Sequence, residues 1–155
     1  MKILLAVDGS ECGDAAVRQV ASSPWPGGCE VRVISAMEPP ALMAMPETWG
    51  PPADYYDMLE KAAEGRARQA VDRASRDLQA AGGALRVTAE VIRGLPKEAI
   101  LQEAERWGAD LIVLGSHGYR GIKRLWLGSV SQAVAANAHC SVLIVRRPDL
   151  EPQPA

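Results

Sequence analysis

Asp110-Leu111-Ile112-Val113-Leu114-Gly115-Ser116-His117-Gly118 runs from four consecutive apolar residues straight into a polar pair bracketed by glycines. An apolar run without alternation suits a strand covered on both faces, as at the centre of a parallel sheet. Ile3-Leu4-Leu5-Ala6-Val7, ending on Asp8, has the same character. Three further runs rich in β-branched residues are Glu30–Ala36, Leu85–Arg93 and Ser141–Arg147, which with Lys2–Asp8 and Asp110–Leu114 make five. Between them lie segments of helical character, about 11–22, 53–81, 96–107 and 127–138. Strand–helix alternation of this kind predicts parallel strands joined by crossovers in a three-layer α/β domain.

Local chemistry sets the boundaries. Ser10 is suited to cap the first helix, Gly82-Gly83 to end the second, and Pro96 to open the third, where its missing N–H is not needed. The long second helix offers Met58, Ala62, Ala70, Val71, Ala74 and Leu78 for a buried stripe, with its charged residues as the solvated face. The run Leu85–Arg93 alternates Leu85, Val87, Ala89 and Val91 against Arg86, Thr88 and Glu90, as an edge or half-covered strand does. A flavodoxin-like order 3-2-1-4-5 satisfies these patterns. It places a topological switch point between the first and fourth strands, where open α/β sheets bind ligands beyond the strands' carboxyl ends.

That order leaves Val142-Leu143-Ile144-Val145 on an edge, which natural proteins cover or pair. Two covers are open: a second copy of the same strand in a twofold homodimer through residues 141–147, or the segment 37–52 folded over it. Residues 37–52 hold five of the eleven prolines, so no regular element is expected there. A plain surface connection and a flap over a site both fit such a length. Residues 1–147 are read as one domain and 148–155, with three prolines, as a disordered tail.

Composition narrows the function classes. The chain has 155 residues, 48% apolar and 23% charged, close to the average for folded proteins. A formal net charge of −2 from 17 basic and 19 acidic residues gives no electrostatic case for nucleic acid or an anionic membrane. Three cysteines, Cys12, Cys29 and Cys140, form no CxxC spacing and no disulfide framework, which fits a reducing cytosol, and Cys12 and Cys29 read as ordinary semi-buried thiols. The opening apolar run is too short for a signal peptide, and no segment reaches the roughly 18 apolar residues that span a bilayer. A cytoplasmic location is the expectation.

The stretch from Gly115 to Ser131 carries the chemistry. Glycines at the switch-point end of a central strand let the backbone turn and approach a ligand. At its far end Gly128, Ser129, Val130 and Ser131 offer N–H groups and hydroxyls in the first turn of the fourth helix, where the helix dipole favours a phosphate. The stretch is neither a Walker A loop, since position 120 is Arg, nor a Rossmann fingerprint, since the chain contains no GxG. The nucleotidyl-transferase signatures HIGH and KMSKS are absent as well.

Gly115, Gly118, Gly128 and Ser129 meet the pattern G-x2-G-x9-G-[ST], which a chain of this composition meets by chance on the order of one time in a hundred. With the opening KILLAVDGS, the DLIVLGSHG strand and the closing SVLIVRR, the chain resembles the universal stress protein family, in its single-domain, ATP-binding branch. The resemblance implies an adenine-nucleotide-alpha-hydrolase-like fold and ATP as ligand. It puts Ala6 and Val7 beside the adenine, Asp8 near ribose and phosphates, and the main chain of Ala36 against the adenine edge. Leu114, Gly115, His117 and Gly118 would line ribose and phosphates, and Gly128, Ser129, Val130 and Ser131 would hold the phosphate tail, with Mg or Mn on the phosphates. It also implies dimerisation through the last strand.

Read without the resemblance, Asp8 is either a turn-capping aspartate or a ligand contact, and His117 either a ligand neighbour or an exposed loop residue. Arg120, Lys123 and Arg124 either neutralise phosphate charge or face water. His139-Cys140 lacks the further ligands a metal site needs. With the resemblance, the function expected is a nucleotide-binding regulatory protein of the stress response. The alternative is a slow metal-dependent ATPase, or a protein phosphorylating itself at Ser129 or Ser131.

Overall fold

The computed structural model describes residues 1–39, 53–82, 85–118 and 127–146, with Ala53 described by its backbone alone. Segments 40–52, 83–84, 119–126 and 147–155 lie outside the described residues, and Gly83 of the expected helix stop with them. With them go the questions of a flap, of Arg120, Lys123 and Arg124, and of the tail.

Five parallel strands, β1 (Lys2–Ala6), β2 (Glu30–Met37), β3 (Arg86–Arg93), β4 (Leu111–Gly115) and β5 (Ser141–Val145), form one sheet in the order β3-β2-β1-β4-β5. The helices between them are α1 (Glu11–Ser22), α2 (Ala53–Ala80), α3 (Pro96–Trp107) and α4 (Ser129–Asn137). The order and the three layers are those expected from the sequence. Period-two alternation along β1 sends Ile3 and Leu5 into a core shared with Val17 and Val20 of α1 and Val71 and Leu78 of α2. Leu4 goes to the opposite core with Ile100 and Ala104 of α3 and Val134 of α4. Each such fully buried branched side chain stabilises by about 1.5–3 kcal/mol. The continuous apolar character of β1 and β4 is thus the signature of two covered faces.

The caps behave as their residues require. The Ser10 hydroxyl accepts from the Gly13 N–H at 3.1 Å, which satisfies one of the unbonded donors of α1. Pro96 opens α3, and Gly108, left-handed at φ +68, ends it with its N–H turned back to the α3 carbonyls.

Two expectations need correction. The stripe on α2 is buried at Ala67, Val71, Ala74 and Leu78, but Met58 is 58% exposed and Ala62 is exposed too. A helix of 28 residues is about 42 Å long, whereas a strand of eight residues reaches only about 27 Å, so α2 is longer than the sheet it packs on. Cys12 and Cys29, expected as semi-buried thiols, are both buried, Cys12 beneath the end of β4.

A polar cluster lies inside the α3 layer, marked in the sequence only by a lone charge, Arg32, amid apolar residues. Glu103 is only 4% exposed, paired with Arg32 of β2 and with Arg106 one helical turn away. The Arg32 guanidinium lies 4.6 Å from the centre of the Trp107 ring, within cation–π range.

Candidate functional site at the switch point

The register sets Ala6 of β1 opposite Leu114 of β4, so the carboxyl ends of these two neighbours lie level. From there the chain departs to opposite faces, through residues 7–10 to α1 on one side and through 115–128 to α4 on the other. Such a divergence opens a crevice between the two strands. Val7 extends β1 with its N–H donating to the Ile34 carbonyl at 2.9 Å, and Asp8 follows at the surface. Ala36 lies two residues beyond Ile34 on β2, the strand on the other side of β1 from β4.

Asp8 first organises its own turn: Oδ1 accepts from the Ser10 N–H at 3.0 Å, an Asx turn that leads into α1. The capping role weighed for it is therefore real. Its other oxygen faces the glycine loop, for a β-carbon built on Gly118 would stand 2.7 Å from Oδ2. The β1 and β4 connections thus meet at a position where a side chain would displace the Asp8 carboxylate.

Gly115 has a different reason. A β-carbon there would stand 2.6 Å from the backbone carbon of Cys12, because the first turn of α1 lies directly on the end of β4. The bare Cα lets α1 approach, which brings Ser10 within 3.4 Å of the His117 carbonyl as donor. Neither this packing role nor the part played by Ser116 is marked in the sequence.

Ser116 is 1% exposed and joins three elements. Its N–H donates to Val145 O of β5 at 2.8 Å, its carbonyl accepts from the Gly128 N–H at 2.7 Å and from the Ser131 hydroxyl at 2.9 Å, and its own hydroxyl lies 3.2 Å from His117 Nδ1. The expectation of free donors across 128–131 therefore holds only in part. The Gly128 N–H and the Ser131 hydroxyl are engaged within the protein, whereas α4's first intrahelical donor is Gln132, bonded to the Gly128 carbonyl. The N–H groups of Ser129, Val130 and Ser131 belong to the unbonded first turn. Ser129 is exposed and Ser131 is buried.

The expected site residues therefore fall at one end of the sheet. Asp8, Gly118, His117 and Gly128 are in direct apposition, since a β-carbon on Gly128 would lie 3.4 Å from His117 Cα. No cluster of three or more His, Cys, Asp or Glu able to hold a metal occurs among the described residues, and His139 is exposed. Among them, too, no helix is long and apolar enough to cross a membrane.

The sequence profile of the Universal stress protein family matches residues 1–146. The chain belongs to this family. A universal stress protein of Thermus aquaticus, encoded 3′ of a QAH/OAS sulfhydrylase gene, is 37% identical over 144 residues, covering 93% of this chain and 97% of its own. Among solved structures, that of MJ0577, a universal stress protein of Methanocaldococcus jannaschii, superposes with a TM-score of 0.80 at 26% identity, over 96% of each chain. A universal stress protein in complex with cAMP superposes with a TM-score of 0.64 at 27% identity, over 94% of this chain and 96% of its own. The sheet order of this universal stress protein is thus that of its relatives.

Proposed function

We propose that this universal stress protein binds an adenine nucleotide, ATP foremost, in the crevice between the carboxyl ends of β1 and β4, as a regulatory ligand in the stress response. The observation that carries the reading is the meeting of Asp8, His117–Gly118 and the start of α4 at that crevice. A carboxylate, the bare glycine backbone at Gly118 and unbonded helix N–H groups are complementary to ribose hydroxyls, a close-lying phosphate and a phosphate tail respectively. The cAMP complex of a relative supports the adenine nucleotide as ligand class.

In this reading Ala6, Val7 and the main chain of Ala36 flank the adenine. Asp8, Leu114, Gly115, His117 and Gly118 line ribose and phosphates, and Gly128, Ser129, Val130 and Ser131 receive the phosphate tail through backbone groups. A phosphate-bound Mg or Mn needs one or two carboxylates besides phosphate and water, not a protein cage. The exposed Asp8 fits that demand and is the residue that would help hold the ion. The ion would neutralise phosphate charge.

The edge strand β5, bonded on one side to β4, supports pairing with a second copy. Val142 to Val145 remain half-buried within one chain. Sedimentation at micromolar concentration is expected to give a dimer, and a monomer would contradict this. Free Cys12, Cys29 and Cys140 support a reducing, cytoplasmic setting.

The test of the ligand is release. Purified protein, denatured and analysed by chromatography, is expected to yield adenine nucleotide in proportion to protein. Failure to release any, together with failure to take up added ATP, would contradict the reading.

A further inference from the structure

We propose that Ser131 is a positioning residue, whose buried hydroxyl fixes the two walls of the crevice relative to each other without itself touching phosphate. The inference rests on the nucleotide reading above. Ser131 is 2% exposed, and its Oγ lies 2.9 Å from the Ser116 carbonyl and 2.9 Å from the Gly128 carbonyl. A hydroxyl has a single proton, and here both acceptors within reach are main-chain oxygens of the protein.

Ser116 belongs to the β4 wall, one residue before His117 and two before Gly118, and it is tied to β5 through its N–H. Gly128 is the N-cap of α4 and has no side chain with which to cap it. Ser131, in the first turn, shares its one proton between the Gly128 carbonyl at the start of its own helix and the Ser116 carbonyl at the end of β4, and so links the two. The Gly128 N–H makes the parallel bond to the same Ser116 carbonyl at 2.7 Å. Two donors from α4 on one β4 carbonyl set the separation between Gly118 and the N–H groups of Ser129 and Val130. A phosphate tail bridging the two walls needs that separation fixed beforehand, since ordering it on binding costs affinity.

The test compares wild type with Ser131→Ala and Ser131→Thr in the full chain, by ATP titration and by amide hydrogen exchange without nucleotide. Ser131→Ala is expected to speed exchange at Gly128 by about tenfold, the worth of one hydrogen bond, with no change at Ala138, whose N–H bonds Val134 at the other end of α4. ATP affinity is expected to fall about tenfold as well, through faster dissociation, with Ser131→Thr restoring both readouts. Weaker ATP binding with Gly128 exchange unchanged would make Ser131 a direct ligand contact and overturn the proposal. Equal acceleration at Gly128 and Ala138, or faster Gly128 exchange with ATP affinity intact, would overturn it too. If ATP fails to bind wild type, the nucleotide reading falls and the positioning role with it, while the exchange measurement still reports separately whether Ser131 holds the two walls.

Discussion

The Asp8 carboxylate occupies the space over Gly118, with Oδ2 2.7 Å from the point where a β-carbon would stand. Gly118 is exposed and has no left-handed backbone, so Gly118→Ala adds little strain to the fold. It displaces Asp8 instead. ATP affinity measured by calorimetry is expected to fall roughly ten- to a hundredfold, the worth of a hydrogen bond to a charged group, with the melting temperature near wild type. Equal affinity would remove Gly118 from the site.

Gly115→Ala should do the reverse. Its β-carbon would meet backbone atoms of Cys12 at 2.6 and 2.8 Å, and backbone cannot swing aside as a side chain can. Stability is expected to drop by about 1–3 kcal/mol, read as a lower urea midpoint.

Removing Glu103 tests the charged cluster in the α3 layer. Glu103→Ala leaves Arg32, 22% exposed, without its buried partner. A loss of about 3–5 kcal/mol is expected, as when one member of a buried pair is removed. Replacing both residues with apolar ones, Glu103→Leu with Arg32→Met, should cost much less. Equal losses for the single and double variants would contradict this account.

Burial pushes the Cys29 thiol up, its Sγ lying 3.3 Å from the Met1 carbonyl oxygen. Burial raises Cys140 likewise. An unfolded cysteine loses its proton near pH 8.5, whereas these keep theirs to higher pH. Above about pH 8.5 the native state therefore binds more protons than the unfolded one, and stability falls as pH rises. Urea midpoints are expected to decline above that pH, and Cys29→Ala to flatten the decline. An unaltered slope in the variant would contradict the assignment.

The sheet was legible because its central strands must be apolar on both faces: Ile3–Val7 and Leu111–Leu114 could hardly lie elsewhere. The candidate site was legible at Asp8, Gly118 and Gly128, where glycines fall at strand and helix ends. What escaped depends on distance in sequence. Helical periodicity marked Met58 and Ala62 as inward, but periodicity carries no information on where the sheet ends. Ser116 and Ser131, 15 residues apart, look like any loop and helix serines until the β4 carbonyl is placed between them. The Arg32–Glu103 pair left one trace, a lone charge amid the apolar residues of Val31-Arg32-Val33-Ile34. Its partner, 71 residues on, could not be read from it.

The most direct test of the central claim is an amide-resolved NMR titration of nucleotide-free protein with ATP and magnesium. Saturable shifts are expected at Val7, Asp8, Ala36, His117, Gly118 and Ser129 to Ser131, with one ATP bound per chain. Absence of saturable shifts at millimolar ATP, or shifts confined to the groove between β3 and α3 around Glu90, Arg93, Glu98 and Gln102, would contradict a nucleotide site at the switch point.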